Sequence, residues 1–476
     1  LTASTDANTA TVVPRPAGGG GGGSAADSMR GAGDPPSPAP ARREGDQVAV
    51  LLRAARAAQR RWEATPVRER LAVVRRARHL LADRADPVAR AIAAAHPKRR
   101  GRGDAGVAET LTAEVLPTAA ACRFLEREAA GLLRPRRRSR RGRPAWLIGH
   151  RAVVHRVPFG VVLVIGPGNY PFMLVAVQAV QALAAGNAVV LKPGREASVA
   201  ADALKRLLDD AGLPEQLLSV LSEDVADAQA AMRARDDEAG RPLVDRVVLT
   251  GSVDSGRAVL GELADAVVPT TMELSGEDAF IVLDGADLDL AARALRFGRR
   301  LNGGETCIRP RRVLVHANVF DRFADRWAGD GVAPQRFTTP DDAVETANGS
   351  PYGLGASVFG PPAAAAAVAA RLDVGVVTLN ETIVPTADPR LPFGGRGDSG
   401  FGVTRGAEGL LEMTRPKVVT RQGGVCRRFR PHYDEPTSHD AEAFAATIRA
   451  LYGRGAATRW RAAVAAIKAL RKRSAS

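Results

Sequence analysis

Three side chains in this sequence carry groups that, if brought together, would add a nucleophile to a carbonyl, hold the resulting oxyanion and later deliver water: Cys307, Asn169 and Glu273. Cys307 closes the flexible run Asn302-Gly303-Gly304-Glu305-Thr306-Cys307. A thiolate attacks carbonyls well, and the thioester it forms is readily hydrolysed. Asn169 offers an amide donor in the turn Gly166-Pro167-Gly168-Asn169-Tyr170-Pro171, a suitable place for an oxyanion partner. Glu273 ends an apolar segment in Met272-Glu273-Leu274-Ser275-Gly276, where desolvation would raise its pKa toward that of a general base at neutral pH. Each residue also has a plainer reading. A lone cysteine is often a buried inert thiol, a lone glutamate a surface or capping acid, and an asparagine in a turn an N-cap or Asx-turn.

The remaining cysteines, Cys122 and Cys426, have neither paired nor metal-ligand spacing, so no disulfide framework and no metal site is expected. A second glycine-rich turn, Leu249-Thr250-Gly251-Ser252 with Gly256 four residues on, joins a strand to a helix whose N-terminal N–H groups can face phosphate or nicotinamide. By itself such a glycine pair is as often a tight turn.

The elements that must position these groups follow from apolar patterning. Val48 to about Leu133 is helical by three- and four-residue spacing (Leu71, Val74, Ala77, Leu81), with a loop at Pro97 to Gly106. Trp146 to Val157 reads as an extended ribbon outside the main sheet. From Phe159, short apolar runs alternate with helices as in a parallel sheet: strands at Val161 to Ile165, Ala188 to Leu191, Leu217 to Leu221 and Val247 to Leu249. This is a doubly wound, Rossmann-like α/β domain, and ligands belong at the carboxyl edge of its sheet. After Glu273 come a strand at Phe280 to Leu283, a helix at Leu288 to Arg300 and a strand at Arg312 to Val315, which open a second α/β domain.

The expected organisation is a low-complexity tail over 1–47, a dinucleotide-binding domain over 48–272 with an oligomerisation ribbon at 145–157, and a catalytic domain over 273–395. A return to the core and oligomerisation segment over 396–424 follows, then a basic tail over 425–476 with an amphipathic helix at Trp460 to Leu470. The first segment contains six consecutive glycines, Gly18 to Gly23, and cannot offset its ordering entropy, so disorder is expected there.

At 476 residues with 45% hydrophobic content, the chain can bury cores for two domains. Its net charge of +15 includes a dense run at Arg136, Arg137, Arg138, Arg140 and Arg141. All but six of the 67 basic residues are arginine, however, spread along most of the chain, and no nucleic-acid motif accompanies them. A solvated surface is the expectation, not nucleic-acid or membrane binding. No signal-peptide h-region and no membrane-length apolar run occur, so the expected location is cytoplasmic.

The order and spacing of these motifs resemble the aldehyde dehydrogenase superfamily from about Val48 to Val419. The resemblance is carried by Pro158-Phe159-Gly160-Val161, Gly166 to Pro171, Gly186 to Pro193, Thr250 to Gly256, Glu273 to Gly276 and Asn302 to Cys307. Ala347-Asn348, Tyr352-Gly353-Leu354, Leu391 to Gly395 and Ser399-Gly400 complete it. It implies oxidation of a small-molecule aldehyde to a carboxylic acid with NAD or NADP, through a thiohemiacetal and thioester on Cys307. Asn169 and the Cys307 backbone N–H would hold the oxyanion, and Glu273 would activate water. The cofactor would lie on Ile165, Gly166, Pro167, Lys192, Gly251, Ser252, Gly256 and Leu274, and the chain would form a homodimer or homotetramer.

Four departures from the family pattern stand out. Between Cys307 and Asn348 the chain is several dozen residues shorter, an internal deletion that removes the Glu-x-Phe-Gly-Pro motif holding the nicotinamide ribose. Gly168 replaces a bulky aromatic, which would widen the substrate tunnel or loosen it. Glu305 replaces a common glutamine, and its charge would raise the thiol pKa. Arg195 stands where an acid often binds the ribose diol, so a 2′-phosphate would be tolerated. These departures leave a second expectation, a catalytically impaired relative with a binding or structural role. A thioester hydrolase would use the same cysteine and base without a nucleotide.

Overall fold

A computed structural model describes residues 40–144, 147, 149–327, 331–423 and 438–473. Residues 1–39 of the expected tail, Trp146 in the expected ribbon and Cys426 lie outside the described residues.

The N-terminal helices are α1 (Pro40–Ala64), α2 (Val67–Asp83), α3 (Ala85–Ala95), α4 (Gly103–Thr110) and α5 (Leu116–Leu133), with a π turn at Leu111–Val115 between the last two. Helix α1 starts eight residues inside the stretch expected to be disordered. Proline is tolerated in a first helical turn, and the Ala, Arg and Glu that follow are good helix formers, so the helix extends outward past its anchored part at Val48 and Leu52.

Strand β1 (Arg136–Arg137) and the nine-residue β2 (His150–Pro158) follow. Then β3 (Val161–Ile165), α6 (Met173–Ala185), β4 (Ala188–Lys192), α7 (Ser198–Asp210), β5 (Leu218–Val220), α8 (Val225–Arg233), β6 (Arg246–Thr250), α9 (Val253–Leu263) and β7 (Thr270–Glu273) build the first α/β unit. Every residue of β3, β4 and β6 is buried, as continuous apolar runs in a parallel sheet covered on both faces should be. Helix α6 is buried along its whole length and packs on β3 and β4, while α1 packs on β3, β4 and β5.

The second unit consists of β8 (Asp278–Val282), α10 (Leu288–Arg300), β9 (Pro310–His316), α11 (Phe320–Arg326), β10 (Gln335–Phe337), α12 (Pro340–Asn348), β11 (Gly355–Phe359), α13 (Pro362–Ala369) and β12 (Val376–Leu379). The chain then returns through β13 (Gly400–Phe401), α14 (Gly406–Glu412) and β14 (Thr414–Gln422), and ends in α15 (Ser438–Tyr452) and α16 (Ala456–Arg473).

Three sheets result. The first runs β13-β7-β6-β3-β4-β5, parallel except for β13. The second runs β10-β9-β8-β11-β12 and is all parallel. The third, β1-β2-β14, is antiparallel and pairs the ribbon with the returning chain over its full length, from Pro158 opposite Thr414 to His150 opposite Gln422. In the first sheet the chain moves outward from β3 to β5, then resumes at β6 on the other side of β3. The topological switch therefore falls between β3 and β6, and the two glycine-rich turns leave the sheet side by side at its carboxyl edge.

Between β9 and β11, the connection runs through α11, the three-residue edge strand β10 and α12. Arg336 on that edge pairs with Asp321 at 3.0 Å and stacks over the Phe320 ring, so the edge strand is both brief and charged. At the far end the sequence predicted one amphipathic helix and the structure has two. They pack through small residues, Ala443 and Ala446 of α15 and Ala462 and Ala466 of α16, while Trp460 is 73% exposed. The aromatic and branched pattern read from the sequence is therefore the outer face, and alanines make the seam.

Candidate active site

Helix α10 delivers the cysteine loop. Beyond Arg300, Asn302, Gly303 and Gly304 take φ values of 55°, 61° and 82°, three left-handed residues in a row that reverse the chain and set Cys307 on a cavity wall. Asparagine tolerates this conformation better than other side-chain-bearing residues, and glycine adopts it freely.

The loop is latched to the turn after β3. The Asn169 side-chain amide donates to the Glu305 carbonyl at 2.6 Å, and the Asn302 side-chain amide donates to the Asn169 carbonyl at 2.7 Å. The Tyr170 hydroxyl lies 2.7 Å from the Thr306 hydroxyl. Beneath them is a fully buried ion pair, Arg99 with Glu114. Arg99 also donates two hydrogen bonds to the Asn302 side-chain oxygen, at 3.1 and 2.9 Å. Glu114 accepts the N–H groups of Phe172 and Met173 at the start of α6, at 2.7 and 3.1 Å. Glu114 sits in the π turn Leu111–Val115, the local widening that puts a carboxylate at the foot of the site.

Glu273 ends β7 and is almost completely buried. One carboxylate oxygen accepts from the hydroxyls of Thr404 at 3.3 Å and Thr250 at 3.4 Å, while the other has no partner. Burial pushes its pKa up, against the opposing pull of the Arg405 charge and the two hydroxyls. Cys307 is half-buried, and its thiol is pushed up to about 12, mainly by loss of solvent and then by the charges of Glu273 and Asp278. Asp278, at the start of β8, is itself raised to about 7 by burial. The arrangement thus holds a protonated thiol, an amide donor and a carboxylate with affinity for a proton around one space, which suits carbonyl addition followed by hydrolysis.

That space is a cavity of about 510 Å³ running from Cys307, Glu273 and Asn169 to Lys192, Val225 and Glu262. Ile165, Gly166, Pro167, Lys192, Gly251 and Leu274 line it, as expected for the cofactor wall, and so do Arg195, Ser255 and Arg311. The backbones of its two rims touch: a β-carbon on Gly194 would lie 2.3 Å from the Pro167 carbonyl carbon, and one on Gly168 would lie 2.9 Å from the Arg195 oxygen. Glu223 fixes the second rim by accepting the N–H groups of Glu196, Ala197 and Ser198 at 2.7 to 2.9 Å. A long cavity at the switch point, a cation on the wall (Lys192) and the N-terminus of α9 at its middle together fit an extended dinucleotide.

Two expected cofactor residues stand off this wall. Ser252 is the N-cap of α9, its oxygen accepting from the Ser255 N–H at 3.1 Å, and it is Ser255 that lines the cavity. Gly256 faces the Leu274 side chain, 2.9 Å from where a β-carbon would sit, so it is a packing glycine. A β-carbon on Gly168 would meet the Arg195 backbone, so its small size lets the two rims close. One reading of the departures is corrected, that of Glu305. The Glu305 side chain reaches toward Lys98 at 3.6 Å, and the anions that burden the thiol are Glu273 and Asp278. Sequence reasoning missed Asp278, Thr404, Arg405 and the Arg99–Glu114–Asn302 network. Arginine is so abundant here that Arg99 and Arg405 do not stand out, and only the fold shows that they are buried.

Comparison with known proteins gives a consistent answer. The model of the aldehyde dehydrogenase family matches residues 39–330 and 332–419. A succinate-semialdehyde dehydrogenase [NADP(+)] of Deinococcus radiodurans is 29% identical over 460 residues, covering 79% of this chain and 90% of its own. A benzaldehyde dehydrogenase [NAD(+)] of Pseudomonas putida is 29% identical over 449 residues, covering 77% of this chain and 87% of its own. The solved succinate-semialdehyde dehydrogenase of Burkholderia pseudomallei superposes with a TM-score of 0.71 at 24% identity, over 80% of this chain and 90% of that one, a likeness of fold. None of these relatives supports a purely structural role.

Proposed function

The chain belongs to the aldehyde dehydrogenase family, and from that premise we propose that Cys307 is the nucleophile, Asn169 the oxyanion donor and Glu273 the general base of an NAD(P)-dependent aldehyde oxidation. The observation that carries this assignment is the convergence of the three residues, from three distant parts of the chain, on one cavity whose far end suits a dinucleotide.

The cofactor's adenosine end is assigned to Lys192 and Arg195, its phosphates to the N-terminus of α9 at Gly251 and Ser255, and its nicotinamide to the stretch between Leu274, Arg311 and Cys307. When bound, the dinucleotide supplies the hydride acceptor. The protein's own part begins as the Cys307 sulfur, its proton released to solvent through the cavity, bonds to the aldehyde carbon. The carbonyl oxygen becomes an oxyanion, held by the Asn169 amide and the Cys307 N–H. Loss of hydride leaves a thioester. Glu273 takes a proton from water as the water oxygen bonds to the thioester carbon, the carbon–sulfur bond breaks, and Glu273 passes that proton to the leaving sulfur, so the carboxylic acid departs with the thiol and the base both restored. Both N–H bonds of Asn169 are needed in this scheme: one already latches the Glu305 carbonyl, and the other is left for the substrate.

Arg195 and Lys192 put two cations on one wall, which favours a 2′-phosphate and hence NADP. The chain is assigned to the cytoplasm as a homodimer or homotetramer pairing through the β2–β14 ribbon. Among the described residues, no helix is long and apolar enough to cross a membrane. A panel of short, long and aromatic aldehydes with NAD and NADP, run on the wild type and on Cys307→Ala, tests the assignment. Reduced cofactor should form only with the cysteine present.

A further inference from the structure

Arg405 occupies a backbone conformation that side chains avoid. Its φ of 62° with ψ of 176° lies in a region populated essentially by glycine, and the next residue, Gly406, also has a positive φ. Such strain persists only where the surroundings enforce it, and it concentrates at functional positions. The side chain is equally unusual. It is 8% exposed, its Nε has no partner, and the hydrogen bond it makes among the described residues goes to a backbone carbonyl, not to a carboxylate. What holds it is the Thr386 carbonyl, which accepts from Nη1 at 2.7 Å, and the Phe393 ring, 4.3 Å beneath the guanidinium carbon. Phe393 belongs to the small apolar cluster against which Cys307 packs. Thr404, the residue before Arg405, donates to Glu273, whose second oxygen is buried and without a partner. A buried cation and a buried anion, each with an unmet polar atom, therefore flank the same thiol.

Resting on the assignment of Cys307 and Glu273 above, we propose that Arg405 is a positioning residue that supplies the positive charge balancing the Cys307 thiolate and the Glu273 carboxylate at the largely buried end of the cavity. The charged and titratable groups facing the thiol are Glu273, Asp278, Tyr170 and Arg405, with Arg311 donating to the Cys307 carbonyl at 2.9 Å and Glu305 turned toward Lys98. Of these, Arg405 is the cation that pulls the thiol and Glu273 pKa values downward. The strained backbone is what directs a side chain into a place that a glycine would leave empty.

The test is the pH dependence of Cys307 alkylation by iodoacetamide in the full-length protein without cofactor, read by mass spectrometry of the Cys307 peptide from pH 7 to 11. Arg405→Met and Arg405→Gly should slow alkylation at pH 8 by about tenfold or more and move the profile to higher pH, because losing a facing opposite charge shifts a pKa by roughly one unit or more. Arg405→Lys, which keeps the charge, should stay within about threefold of the wild type. Arg405→Gly also relieves the backbone, so it should melt at or above the temperature of Arg405→Met, which keeps the test open if the latter folds poorly. Wild-type alkylation in Arg405→Gly, or equal slowing in Arg405→Lys and Arg405→Met, would overturn the proposal. Persistent aldehyde oxidation by Cys307→Ala would instead overturn the assignment of the nucleophile and leave the Arg405 result standing.

Discussion

The side-chain amide of Asn169 donates to the backbone carbonyl of Glu305 across 2.6 Å of space and 136 positions of sequence. This contact ties the turn after β3 to the loop bearing Cys307, so the geometry of the oxyanion donor and of the nucleophile is set jointly. Asn169→Ala removes both the latch and the donor. The expected result is a fall in kcat of about 10²- to 10³-fold, the usual loss for one oxyanion donor, with KM for the aldehyde changed far less. A steady-state comparison at saturating cofactor checks it, and a change confined to KM would argue against the role.

The Arg99–Glu114 pair has no solvent to fall back on, since both side chains are fully buried. Glu114→Gln leaves the guanidinium without its anion, and breaking such a pair from one side costs about 3–5 kcal/mol. Urea unfolding of Glu114→Gln should show a loss of that size. It should be accompanied by lost activity, because Glu114 also holds the N–H groups at the start of α6.

Asp278 gives a pH signature with a definite sign. Its folded-state pKa is raised from 3.8 to about 7 by burial, so the folded chain keeps this proton where the unfolded chain releases it. The stabilising contribution is full below about pH 4 and is lost as pH rises through 7, by at most about 1.4 kcal/mol per pH unit. Asp278→Asn keeps an acceptor for the Gly355 N–H, now 3.1 Å away, and should flatten the stability profile between pH 4 and 7. It should also speed Cys307 alkylation at pH 8, since one of the anions raising the thiol pKa is gone.

Cofactor binding separates wall residues from capping residues. Lys192→Ala should raise KM for the dinucleotide and Arg195→Glu should move preference from NADP toward NAD. Ser252→Ala should cost about 1 kcal/mol of stability, as loss of an N-cap does, with little effect on either KM. Kinetics with both cofactors, set beside thermal melts, would distinguish these outcomes. A large KM effect at Ser252 would return it to the phosphate site.

Much of this architecture was legible in the residues themselves. Continuous apolar runs such as Val161–Ile165 belong to buried parallel strands and little else, and the helix at Leu288–Arg300 falls where its spacing places it. Cys307, Glu273 and Asn169 could be picked out because glycine-rich turns follow or precede strands at all three. What stayed hidden depends on distant neighbours. Gly168 and Gly256 have meaning only beside Arg195 and Leu274, and Ser252 is a cap because Ser255 takes the cavity wall. Arg405 is one arginine among many until the fold buries it next to Glu273.

The central claim is that the aldehyde carbon becomes bonded to the sulfur of Cys307 and is released by water that Glu273 activates. The most direct measurement is rapid quenching of Glu273→Gln with aldehyde and NADP, followed by mass spectrometry of the Cys307 peptide. Loss of the base typically slows its step by about 10²- to 10⁴-fold, so an acyl adduct should accumulate on Cys307 together with one equivalent of reduced cofactor per site. Continued multiple turnover with Cys307 unmodified, or an acyl group found on another residue, would contradict it.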